Sequence, residues 1–147
     1  MNFKKILIVV VAVIIVGVAY YGLSPLFHNP KANDPLPIAE SSEIRTTSPV
    51  SLQGTTGHPA SGTVRVVEAD GKKYLRYENL KTINGPDIYV YLAKDLTAKE
   101  YVSLSKVKAT EGNVNYEIPE GTNITDYPYA IIWCQQFGVL FNSAKVN

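Results

Sequence analysis

From Leu52 to Val146 the chain is broken into short runs rich in Val, Ile, Tyr and Thr, separated by turn-forming residues at roughly eight- to twelve-residue intervals. That rhythm leaves no stretch for a long amphipathic helix and favours a small antiparallel β-sandwich or barrel. The clearest unit is a hairpin. Gly62 to Glu68 and Lys73 to Leu80 flank Ala69-Asp70-Gly71-Lys72, and an Asp-Gly pair tolerates the positive φ values of a tight two-residue turn.

Ile88-Tyr89-Val90-Tyr91-Leu92 is apolar or aromatic on both faces, which suits a central strand with Ile88, Val90 and Leu92 on one side and the tyrosines on the other. Thr97 and Glu100 stand at capping-box spacing within Asp95 to Tyr101, predicting one or two helical turns before a strand near Val102 to Val107. Glu111-Gly112-Asn113 turns the chain into a strand over Val114 to Ile118, and two last strands follow at Ala130 to Trp133 and Val139 to Ala144. Period-two counting puts Ala130, Ile132 and Cys134 on one face and Ile131 and Trp133 on the other, but both faces are apolar and the inner one is not decided.

The N-terminal end has a different character. Met1 to Lys5 is short and basic, and Ile6 to Leu23 carries no charge; as a helix it would measure about 27 Å, enough to cross the hydrocarbon of a bilayer. Residues 1–23 read as a membrane anchor, with Lys4 and Lys5 keeping the N-terminus cytoplasmic and the rest outside the cell membrane. Gly17-Val18-Ala19 also fits a signal-peptidase site, and both readings export the remainder. Residues 24–50 hold Pro25, Pro30, Pro35, Pro37 and Pro49 among polar groups, with His28 solvated, and read as a semi-extended tether. Residues 51–147 form the folded domain.

Without Lys4 and Lys5, the 14 basic residues of the chain become 12 against 13 acidic ones, and they are interspersed, so nucleic acid is excluded as a partner. A nucleophile elbow, a phosphate-binding glycine loop and a pair of metal-binding histidines are all missing, which argues against a stand-alone enzyme. Asn123-Ile124-Thr125 is a glycosylation sequon.

The single cysteine, Cys134, lies in Trp133-Cys134-Gln135-Gln136-Phe137-Gly138 where an apolar strand ends, which places its sulfur near a sheet edge. Without an intramolecular partner it is a free thiol, a cross-link to another chain, a ligand to a prosthetic group, or a small buried hydrophobe. Thiolate rather than thiol is the reactive form, yet no Lys or Arg occurs between Lys108 and Cys134. His58 is the domain's one imidazole and the natural partner or second ligand. Trp133 could shield a group beside Cys134 or simply fill core.

Four blocks occur in order: Gly57-His58-Pro59-Ala60-Ser61-Gly62, Gly85-Pro86-Asp87 before the central strand, Asn115-Tyr116-Glu117-Ile118-Pro119, and Trp133-Cys134 with Phe137 following. Together they resemble the electron-transfer DM-thirteen domain family over about Leu52 to Val146. The resemblance implies a compact, often extracytoplasmic β domain whose cysteine, here Cys134, acts in electron transfer as a bare thiol or by holding a group such as haem. Gly57, His58, Gly85, Pro86, Asp87, Trp133 and Phe137 match motif positions without assigned chemistry, and the stretch Lys108 to Asn113 lacks the family's glycine-rich turn. The expectation is a membrane-anchored redox module working with a separate redox or cell-surface protein; the alternative is a non-redox adhesion module with a structural cysteine.

Overall fold

The computed structural model describes residues 2–24, 28–40 and 43–147. Helix α1 (Phe3–Leu23) buries no side chain against the rest of the chain and is long and apolar enough to cross a membrane. Its Val- and Ile-rich sequence has modest helix propensity in water, whereas in hydrocarbon a helix is the one local form that satisfies every backbone group.

The remainder is mostly β, in two sheets. One sheet contains β1 (Lys31–Asn33), β2 (Arg45–Thr46), β3 (Val50–Ser51), β5 (Ala60–Ala69), β6 (Lys72–Thr82) and β9 (Glu111–Ile118), in the order β1-β9-β6-β5-β2 with β3 also on β5. The other contains β4 (Gln53–Gly54), β7 (Ile88–Ala93), β8 (Tyr101–Lys106), β10 (Tyr129–Cys134) and β11 (Val139–Lys145), in the order β4-β11-β10-β7-β8. The predicted hairpin forms: Ala69 pairs with Lys72, and Asp70 and Gly71 take φ of 49° and 76°, as a type I′ turn requires.

Alternation decides the core. Ile88, Val90 and Leu92 of β7 and Ala130, Ile132 and Cys134 of β10 join one buried cluster with Val64 and Val66 of β5, Leu75 and Tyr77 of β6, and Val114 and Tyr116 of β9. Each fully buried Val, Leu or Ile among them contributes about 1.5–3 kcal/mol by leaving water. The face left open by the sequence is thereby settled: Cys134 points inward, while Ile131 lies in a second small cluster on the outer face with Tyr91, packed by Tyr89 and Trp133.

Two expectations are corrected. Within the Asp95–Tyr101 segment, where Tyr101 opens β8, residues 95–100 form a turn and not helix, because the Asp95 carboxylate accepts the Thr97 amide at 2.7 Å and its hydroxyl at 2.6 Å, a local bond that competes with helix hydrogen bonding. Glu100, expected to cap, pairs with Lys94 instead.

The second correction concerns the Pro-rich stretch 24–50. Its described residues do not simply project the domain outward, because β1 pairs in parallel with β9 and β2 pairs with β5. The nearly buried Arg76 fastens this strap: its Nη1 donates to the carbonyls of Asp34 and Pro35 at 3.2 and 3.0 Å and to Asn115 Oδ1 at 2.8 Å, while its Nε donates to Glu78 at 2.9 Å. Partial burial raises the Glu78 carboxyl, but the guanidiniums of Arg76 and Arg65 outweigh it and hold the group below the usual carboxylate range.

The strap fits only because residue 112 is glycine. Gly112 has φ of 106°, and a Cβ there would collide with the Ala32 carbonyl oxygen on β1. Gly112→Ala should therefore cost about 1–3 kcal/mol in denaturant unfolding. It should also strip hydrogen-exchange protection from the Asp34 amide, which donates to the Asn113 carbonyl at 2.9 Å; unchanged protection would contradict the docked strap.

Candidate functional site

Cys134 closes β10, and β10 is an inner strand, so the sulfur does not lie at a sheet edge. Cys134 is opposite Ile88 of β7 and Val139 of β11 and is 0% exposed, inside the apolar cluster shared by both sheets. Immediately beyond it, the Gln135 amide donates to the Asp87 carbonyl at 2.9 Å. The Asn84-Gly85-Pro86-Asp87 loop and the Gln135–Gly138 hairpin turn thus meet at one end of the two sheets.

The loop is held close by Gly85, where a Cβ would stand 2.9 Å from both Ile88 Cγ2 and Phe141 Cζ. Phe141 in turn carries His58, whose ring stacks on it at 4.2 Å between centroids. His58 closes a tight turn with Thr55: their backbones exchange two hydrogen bonds, and His58 Nδ1 is 3.2 Å from Thr55 Oγ1. The same hydroxyl donates to the Leu140 carbonyl at 2.8 Å, pinning the turn to β11.

The family-motif positions named from the sequence therefore gather, but not as a Cys-His pair. His58 contacts Phe141, and no hydrogen bond joins it to Cys134 among the described residues. Trp133 alternates to the outer face, opposite Tyr89 and Leu140, away from the sulfur. Gly57 sits in the Thr55–His58 turn with φ of 81°, and Phe137 is 65% exposed at the hairpin tip. Asp87 pairs with Lys106 at 3.3 Å, so that cation, brought to this end by folding, already has a carboxylate partner.

A prosthetic group held by Cys134 does not fit this arrangement. A haem ligand must present its sulfur to a slot, whereas Cys134 is sealed in aliphatic and aromatic packing and His58 is engaged with Phe141. Among the described residues, no group of three or more His, Cys, Asp or Glu is placed to hold a metal ion.

Sequence reasoning missed a polar bridge and an aromatic stack. Asn142, fully buried on β11, donates to Thr82 Oγ1 on β6 at 3.0 Å and so links the two sheets, while its Oδ1 has no protein partner. On the outer face Tyr91 stacks on Tyr101 at 4.0 Å and its hydroxyl accepts a hydrogen bond from Gln135. The alternation of Tyr89 and Tyr91 signalled outward tyrosines, but Tyr101, contributed by the neighbouring strand, carried no local signal.

Burial pushes the hydroxyls of Tyr91 and Tyr116 up to about 12. Above pH 10 the unfolded chain releases these protons while the fold retains them, so stability should fall between pH 10 and about 12 in unfolding curves followed alongside tyrosinate absorbance. Gly85→Ala, which overpacks Ile88 and Phe141, should cost about 1–3 kcal/mol by the same measurement.

In comparison with known proteins, the family model described as Electron transfer DM13 matches residues 51–146. No match was found among curated proteins or among solved structures.

Proposed function

The chain belongs to the electron-transfer DM13 family, and from that premise we propose that it is an extracytoplasmic electron-transfer module: a two-layer β-sandwich held at the cell membrane by α1, with the N-terminus cytoplasmic and Cys134 as the redox residue serving a separate protein partner. The observation that carries this reading is convergence. Blocks of the family pattern that are far apart in the chain supply the Asp87 carbonyl, the Gly85 approach and the His58–Phe141 stack around the end of the strand that carries Cys134.

The sealed sulfur favours a bare thiol over a ligand to a resident group. A permanent ligand needs a standing slot, whereas a thiol needs only transient exposure, and the hairpin turn Gln135–Gly138 that follows Cys134 is exposed through Gly138's neighbours Gln135, Gln136 and Phe137. Opening that end would let water and a basic group reach the thiol and form the reactive thiolate.

The second reading, an adhesion module with a structural cysteine, has one observation in its favour, the 0% exposure of Cys134 in apolar packing. Alkylation of the native protein followed by mass spectrometry separates the two. The redox reading expects Cys134 to react through local opening, at a rate above that of global unfolding measured in parallel. Labelling that appears only when the whole domain unfolds would leave the cysteine structural, and a Cys134→Ser protein would then keep every cellular phenotype.

A further inference from the structure

The chain's path from α1 leads to the same end of the two sheets that holds the motif residues. The helix closes at Ser24, whose amide donates to the Tyr20 carbonyl. Four residues later the His28 carbonyl accepts the Asn84 side-chain amide at 2.7 Å, and the Pro30 carbonyl accepts the Thr110 amide at 2.8 Å. A chain extends at most about 3.6 Å per residue, so His28 lies no farther than about 14 Å from Ser24, whatever course the chain takes between them. Asn84 adjoins Gly85, and the Asp87 carbonyl binds Gln135 at the root of the hairpin turn. The loop beside Cys134 is thus tied to the chain within a short reach of the helix end.

Two further observations bear on what faces this end. Phe137, 65% exposed at the tip of the β10–β11 hairpin, is a large aromatic with no apolar cover, a residue type that suits the membrane–water boundary. The charges of the two ends also differ. At the motif end Lys31 and Lys106 are offset by Glu111 and Asp87, and Lys81 and Lys108 add positive charge without an ion pair among the described residues. At the far end Asp70, Asp95, Glu100, Glu117, Glu120 and Asp126 stand beside Lys72, Lys73, Lys94, Lys99 and Lys145, with Lys72 and Lys94 paired to Glu117 and Glu100. A bilayer bearing anionic lipid therefore attracts the first end more than the second, over about 8 Å at physiological salt.

We infer that the motif end of the domain rests on an anionic lipid bilayer, with the Gln135–Gly138 hairpin tip and Phe137 seated in the headgroup layer. The proposal rests on the anchoring reading of α1 and goes beyond it in orienting the domain: the hairpin that covers Cys134 is the part that touches lipid, and the 69–72 and 119–128 turns point away.

The test uses the full chain in vesicles of phosphatidylcholine with phosphatidylglycerol, with the native tryptophan removed as Trp133→Phe. A single tryptophan is then introduced by Phe137→Trp at the motif end or by Lys99→Trp at the exposed far end. Phosphatidylcholine brominated high in its chains should quench tryptophan at 137 several-fold more strongly than at 99, and replacing the phosphatidylglycerol with phosphatidylcholine should shrink the difference. Equal quenching at both positions, stronger quenching at 99, or emission at 137 that is shielded from the brominated lipid by a second copy of the chain would each overturn the proposal. Flotation after alkaline carbonate washing keeps the two readings apart: a chain released from vesicles fails the anchor, whereas one that floats without selective quenching fails the orientation alone.

Discussion

The burial of one face of β7 and β10 against β5, β6 and β9 is the interaction on which the rest of the structure depends. Ile88, Val90 and Leu92 meet Ala130 and Ile132 across antiparallel register, and both rows press on Val64, Leu75, Tyr77 and Val114 of the other sheet. Because successive side chains on a strand point to opposite faces, seating this row also seats Cys134 inside and Trp133 outside. A one-residue slip of β10 would exchange them. The position of the sulfur is thus a consequence of core packing along the whole strand and not of the residues next to it.

Polar groups then locate what the apolar core leaves free. Asn142 and Thr82 cross from one sheet to the other in the buried interior, where a hydrogen bond is directional and hydrophobic contact is not. Arg76 directs its donors to Glu78, Asn115 and the carbonyls of Asp34 and Pro35, drawing a proline-rich strap onto the sheet through polar contacts. The strap's tie at His28 brings the chain that follows α1, the Gly85 loop and the Cys134 hairpin together, so the proposed anchor and the proposed chemistry share one end of the domain.

Much of the architecture was legible in advance. The Asp70-Gly71 turn, the alternating Ile88–Leu92 strand and the charge-free run before Leu23 each have a local cause, whether turn geometry, side-chain period or hydrophobic length, and each appears in the structure. The misread segments have a shared cause as well. Thr97 and Glu100 had helix-start spacing, but Asp95 captured the Thr97 amide first. The 24–50 stretch looked like a tether because hydropathy does not register a strap held by backbone carbonyls and a buried guanidinium. Of the candidate site, the motif positions were visible, but the His58–Phe141 stack and the absence of a His58–Cys134 hydrogen bond were not, since both depend on how β4 and β11 lie side by side.

By itself the amino-acid order determined a two-period, turn-punctuated β domain behind one apolar helix, and membership in an electron-transfer family through four dispersed blocks. Those properties are written in neighbouring residues and in their spacing. Only the tertiary structure decided that Cys134 is sealed, that Trp133 turns away from it, and that the motif end is the end to which the chain returns from the helix. Burial and proximity arise from pairings between residues far apart along the chain, and β10 and β11 look apolar on both faces until a second sheet covers one of them.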